Sequence, residues 1–199
     1  MKLTKQFVSD METYFKDDAA LVLKAVKFAV KKHKGAVRDD GTPYVTHPLQ
    51  VAEYVRQFKE SKNASMLYMA ALLHDTLEDT YTSYRELCET FSEEVASIVM
   101  ELSTAKFAPL WISSGDGGKA EYLAKKMEHM TNYALYIKLC DRLHNVSTLK
   151  GCAKEKQIRT VNDTRIILDY LKVVRKLTAS QQRVANEIEK MLIELNKKG

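Results

Sequence analysis

The sequence predicts an all-α protein, a single bundle of about eight to ten helices by its periodicity, and three observations carry that reading. Apolar residues recur at helical spacing almost throughout. Glycine and proline are scarce, at seven and three in 199 residues, which disfavours a turn-rich β protein. All three prolines, Pro43, Pro48 and Pro109, fall in the first 110 residues, so long helices can run uninterrupted in the rest.

Taken in order, Leu21, Ala25, Phe28 and Ala29 form one face of an early helix. Pro48 suits the first turn of a helix running to about Phe58. A third is expected over roughly Ala64 to Asp79. Ser83 with Glu86 is a capping box that opens a fourth. Ser92 caps a fifth, with Glu93 and Glu94 in its positive first turn. Beyond Leu102 the pattern weakens, and Ser113-Ser114-Gly115-Asp116-Gly117-Gly118 reads as a flexible loop. Helices resume near Lys119, at Ala134 to Leu149 and from Lys154, and a Thr178–Gln181 capping box opens the last. No repeat or domain boundary is evident, so the expectation is one domain over residues 1–199.

Bulk properties narrow the function classes. Hydrophobic residues at 45% are the usual share for a globular chain. The longest apolar run, Leu67 to Leu73, stops at His74, far short of a bilayer span, and Met1-Lys2-Leu3-Thr4-Lys5 lacks the apolar core of a signal peptide. The expectation is a cytoplasmic protein with no membrane association. Cys88, Cys140 and Cys152 match no zinc or redox spacing and read as reduced packing residues. The net charge of +5 would help draw in an anion. Without a basic block or basic-aromatic interleaving, no nucleic-acid partner is expected. A homo-oligomer is compatible with the sequence.

Three segments carry chemistry. In His74-Asp75-Thr76-Leu77-Glu78-Asp79, a continuous helix would gather residues 74, 75, 78 and 79 within about 140° of arc. The apolar segment before them implies burial, and burying carboxylates beside a histidine is costly unless a cation pairs with them. In Ile137 to Asn145, the residues Lys138, Asp141, Arg142 and Asn145 make one polar stripe, which is either a metal and phosphate site or a solvated helix face. The turn-rich Arg38 to Pro48 delivers His47 to the mouth of a helix, where a capping role competes with a ligand role. Together His47, His74, Asp75 and Asp141 form a mixed nitrogen and oxygen set, suited to Mn²⁺, Fe²⁺ or Zn²⁺ over Ca²⁺. The absence of cysteine ligands argues against a closed structural zinc site.

The order His, then His-Asp, then a distant Asp resembles the HD phosphohydrolase superfamily. Gly41-Thr42-Pro43-Tyr44 through His47-Pro48, Ala70 through Thr80, and Ile137 through Asn145 are similar to the hydrolase domain of the Rel/SpoT family, which includes small alarmone hydrolases. The likeness covers roughly residues 22 to 150, leaving 151–199 as a helical extension. It implies an HD-domain helical bundle that removes the 3′-pyrophosphate of a guanosine polyphosphate, (p)ppGpp, with Mn²⁺ as cofactor. His47, His74, Asp75 and Asp141 would hold the metal, and Glu78 and Asp79 would orient and deprotonate the attacking water. Arg38 and Asn145 would contact the nucleotide, with Lys138, Arg142 and Thr148 as further contacts. His33 and His144 also match family positions, with structural roles expected. One departure stands out. Many bifunctional relatives have a Lys-Ser pair where Asp39-Asp40 stand here, and two carboxylates beside a polyphosphate would repel it unless they point away. The alternatives are another HD nucleotide phosphohydrolase (an NADPH 2′-phosphatase, a ppApp hydrolase or a nucleotidase) and a non-catalytic nucleotide-binding helical module.

Overall fold

The computed structural model describes residues 3–104 and 118–197, with side chains through residue 195; the Ser113–Gly117 stretch of the expected loop lies outside the described residues. Among them are eleven α-helices and no strand. The residues fall into two compact units, 1–103 and 104–199.

The first unit holds α1 (Lys5–Phe15), α2 (Ala19–Lys32), α3 (Thr46–Phe58), α4 (Ala64–Leu73), the single turn α5 (Thr76–Asp79), α6 (Tyr84–Thr90) and α7 (Glu93–Leu102). Its organising element is α4. Every residue from Leu67 to Leu73 is buried, as an all-round apolar helix requires, and α2, α3 and α7 pack against it. The caps are those the sequence announces. Ser83 accepts from the Glu86 amide at 3.1 Å and Ser92 from the Val95 amide at 3.2 Å, each satisfying an orphan donor of a helix start. Pro48 lies in the first turn of α3.

The helix expected from Ala64 to Asp79 is broken at His74 and Asp75. At the break, side chains bond to main-chain carbonyls. His74 Nδ1 donates to the Ala71 carbonyl at 2.8 Å, the acceptor that the Asp75 amide would use in an unbroken helix. Thr76 Oγ1 likewise takes the Leu73 carbonyl at 2.7 Å. Asp75 then starts α5 afresh, its carbonyl accepting from the Glu78 and Asp79 amides.

The second unit holds α8 (Gly118–His129), α9 (Asn132–Ser147), α10 (Lys154–Val174) and α11 (Ala179–Lys197). Helix α9 buries ten of its sixteen residues and packs on α11, while α8 packs on α10. Thr178 and Gln181 form the reciprocal capping box, with the Thr178 amide donating to Gln181 Oε1 at 2.8 Å and the Gln181 amide to Thr178 Oγ1 at 3.4 Å. Cys140 is fully buried, and burial pushes its thiol pKa up, consistent with a packing role. Among the described residues no helix is long and apolar enough to cross a membrane.

Leu72, fully buried in α4, is expected to cost about 2–5 kcal/mol when truncated to alanine, whereas Ser92→Ala should cost about 1 kcal/mol through its lost cap. Urea unfolding of the two variants tests this, and a Leu72→Ala midpoint no lower than that of Ser92→Ala would contradict the central role given to α4.

Candidate metal centre

In the first unit the site grows from three pieces of chain. The loop after α2 turns back through an isolated bridge between Val37 and Pro43. Gly41 sits there at φ +81°, a conformation open to glycine and costly for most residues. The loop delivers Tyr44 beneath the first turn of α3, where the His47 amide donates to the Tyr44 carbonyl at 2.9 Å. His47 itself is only 3% exposed. The third piece is the break between α4 and α5, which presents His74, 1% exposed, and Asp75.

These side chains converge. His74 Nε2 lies 3.0 Å and His47 Nε2 3.5 Å from the same Asp75 oxygen, Oδ2, and the two ligand nitrogens are within 4.8 Å of one another. Tyr44 donates its hydroxyl to that oxygen at 2.6 Å. A carbonyl only accepts, so the contact of His74 Nδ1 with Ala71 puts the ring proton on Nδ1. In the neutral ring the Nε2 lone pair therefore faces a carboxylate oxygen, acceptor against acceptor. A positive charge between them removes the repulsion. Two imidazole nitrogens and a carboxylate suit a borderline divalent metal, so the residues present fit one.

Glu78 and Asp79 follow one turn on; Glu78 is half-buried and Asp79 exposed. Burial, followed by the Asp75 and Asp79 carboxylates, pushes the Tyr44 phenol far above its ordinary pKa, so it stays a donor. Arg38 is half-buried in the loop, its amide donating to the Thr42 carbonyl at 2.8 Å. Asp40 is turned into that loop, where Oδ1 accepts from the Thr42 amide at 2.9 Å and the Thr42 hydroxyl at 2.7 Å. The same Thr42 hydroxyl holds the Asp40 carboxyl below its usual pKa.

In the second unit, α9 presents Asp141, 6% exposed, with both oxygens engaged along its own helix. Lys138 Nζ is 2.9 Å from Oδ2 and Asn145 Nδ2 donates to Oδ1 at 2.8 Å. The expected stripe is thus real for these three residues. Arg142 is half-buried, its Nε buried without a hydrogen-bond partner among the described residues. The Thr148 hydroxyl is spent on the end of α9, donating to the His144 carbonyl at 3.1 Å and, more weakly, to that of Asn145 at 3.4 Å.

Two residues beyond the expected set belong to the first cluster. Tyr44 lies three residues before His47, so its proximity in sequence was a usable signal. His33 ends α2, 5% exposed, with its ring 4.9 Å from that of Tyr44.

An all-α fold, a His-Asp pair at a helix break and a second buried histidine define the class, and comparison with known proteins agrees. Residues 25–171 match the HD domain family, so this chain belongs to it. It is 39% identical over 143 residues to the guanosine-3′,5′-bis(diphosphate) 3′-pyrophosphohydrolase MESH1 of Xenopus tropicalis, an alignment covering 69% of this chain and 74% of that one. Over 150 residues it is 36% identical to a GTP pyrophosphokinase of Myxococcus xanthus, covering 74% of this chain but 19% of that much longer protein. The fold matches the structure of a metazoan ortholog of SpoT, described as hydrolysing ppGpp, with a TM-score of 0.70, 23% identity and coverage of 88% of this chain and 95% of that one.

Burial lowers the His33 pKa below its ordinary 6.5, against the pull of Asp75 and Asp79. The unfolded chain therefore takes up this proton more readily than the folded one. Its contribution to stability is whole above the unfolded value and lost as pH falls from there through the lowered native value. Urea midpoints of the metal-free protein should accordingly drop as pH falls below 6.5, and His33→Gln should show a shallower drop; equal slopes would refute the assignment.

Proposed function

We propose that this chain hydrolyses the 3′-pyrophosphate of guanosine alarmones, (p)ppGpp, to GDP or GTP and pyrophosphate, with Mn²⁺ as its metal. One observation carries the metal half: His74 Nε2 and His47 Nε2 converge on Asp75 Oδ2 at 3.0 and 3.5 Å, a donor set that suits a divalent metal. The substrate half is supported by the names of the relatives and by the motifs flanking the site. On this reading His47, His74, Asp75 and Asp141 hold the metal, and residues 1–199 are read as one HD domain with a family-like core at about 22–150 and the rest as a helical extension. The protein is read as cytoplasmic, with the nucleotide as its partner and no role for nucleic acid or membranes.

A bound divalent cation would lower the pKa of water and polarise a phosphoryl oxygen. The chain's own residues do the rest. Glu78, one turn beyond Asp75, takes the proton from the attacking water, and Asp79 helps orient that water; a positioned base contributes about 10²- to 10⁴-fold. Water adds to the phosphorus attached to the 3′ oxygen, the bond between them breaks to release pyrophosphate, and the 3′ oxygen leaves as a hydroxyl with a proton from solvent. Arg38 and Asn145 contact the nucleotide, with Lys138, Arg142 and Thr148 as further contacts, and cationic side chains stabilise charge on the phosphoryl group.

His74→Ala and Asp75→Ala should each lose both bound metal and turnover, measured by elemental analysis and product release. A metal-free Asp75→Ala protein with full activity would end this mechanism. Glu78→Gln should keep its metal and lose about 10²- to 10⁴-fold in kcat, and an unchanged rate would reassign the base.

Incubation with ppGpp, ppApp or NADPH in Mn²⁺, read by chromatography, tests the substrate. Pyrophosphate released from ppGpp in preference to ppApp is the expected result. Orthophosphate from NADPH alone would point to a 2′-phosphatase instead.

A further inference from the structure

We infer that Tyr44 is a positioning residue for the metal centre, its hydroxyl fixing the Asp75 carboxylate in the orientation that faces the two imidazoles. The inference rests on the metal reading above and goes beyond its ligand set. Tyr44 touches both sides of the site. Its carbonyl accepts from the His47 amide at 2.9 Å, and its hydroxyl donates to Asp75 Oδ2 at 2.6 Å, the oxygen nearest His47 Nε2 and His74 Nε2. That length belongs to a charge-assisted bond, stronger than a neutral one. The carboxylate needs such a restraint. It stands at the break between α4 and α5, not in the body of a helix.

The tyrosine is itself held. Its amide donates to the Ala36 carbonyl at 2.9 Å, and its ring sits 4.9 Å from the His33 ring and 5.8 Å from the His47 ring. A donor locked by packing on one side and bonded to a ligand on the other is the arrangement that tunes a metal site from outside the ligand set, and loss of such a partner typically weakens metal affinity about 10- to 100-fold.

Tyr44→Phe in the full chain removes only the hydroxyl. Mn²⁺ affinity, read by competition with a chromophoric chelator, should fall about 10- to 100-fold. The Mn²⁺ concentration for half-maximal turnover should rise in step, while KM for the nucleotide at saturating Mn²⁺ holds. A residue serving only to fill space would leave the metal affinity unmoved. Wild-type affinity in Tyr44→Phe would overturn the inference while leaving the metal reading intact; a wild-type chain that binds no Mn²⁺ would overturn both.

Should Tyr44→Phe fail to fold, a second measurement decides. With tyrosine labelled at the ζ-carbon, one of the ten tyrosine resonances should move in Asp75→Asn and move again in the wild type on adding Zn²⁺. No resonance sensitive to both changes would refute the link.

Discussion

A carboxylate set against two buried imidazoles is the constraint around which the first unit is built. Asp75 Oδ2 meets His74 Nε2 at 3.0 Å and His47 Nε2 at 3.5 Å. Buried ionisable groups are tolerated only when paired or bonded, and the surrounding chain supplies the bonds. Tyr44 donates to Asp75, and His74 is oriented through its other nitrogen by the Ala71 carbonyl. The second of these lies where the helix ends. The cost of interrupting α4 is offset by the packing of its seven consecutive buried residues, each worth about 1.5–3 kcal/mol for a large side chain. A strongly anchored helix can thus end abruptly at the two residues that carry chemistry.

The second unit solves the same problem in another way. Asp141 is buried on α9, but Lys138 and Asn145 lie one turn to either side and occupy its two oxygens. A lysine is a single mobile point charge, so it compensates the carboxylate without enclosing it. The polar stripe of α9 is therefore internally balanced, which explains how one helix can bury ten residues and still carry a cation, an anion and an amide along a single line.

Most of the architecture was legible because it is written in local chemistry. The caps at Ser83, Ser92 and Thr178 follow from hydrogen bonds within four residues of each helix start, and Pro48 in the first turn of α3 from its fixed φ and missing amide hydrogen. Helix α1 carries the same kind of signal, a Thr4 cap with Met11 and Phe15 buried, but its short polar surroundings made it easy to pass over. The break at His74 was not legible. Periodicity counts side chains by face and cannot register a side chain that takes a backbone carbonyl. For the site, the pattern named His47, His74 and Asp75, which do converge. It gave no role to Tyr44, although that residue stands three before His47, because only the fold sets its hydroxyl on the Asp75 carboxylate. Thr148, read as a further nucleotide contact, stands where α9 ends, its hydroxyl donating to the His144 carbonyl.

The Asp39-Asp40 pair shows why a count of charges misleads near a phosphate site. From the sequence, two acids stand where a cationic neighbourhood would be favoured. In the fold, one of them is spent: Asp40 accepts two hydrogen bonds from Thr42, holding the turn that returns the chain to Tyr44. Its carboxylate is exposed to water, which strongly screens its interaction with an anion several ångströms away. Asp40 is therefore part of the loop that seats Tyr44, whose hydroxyl bonds to Asp75.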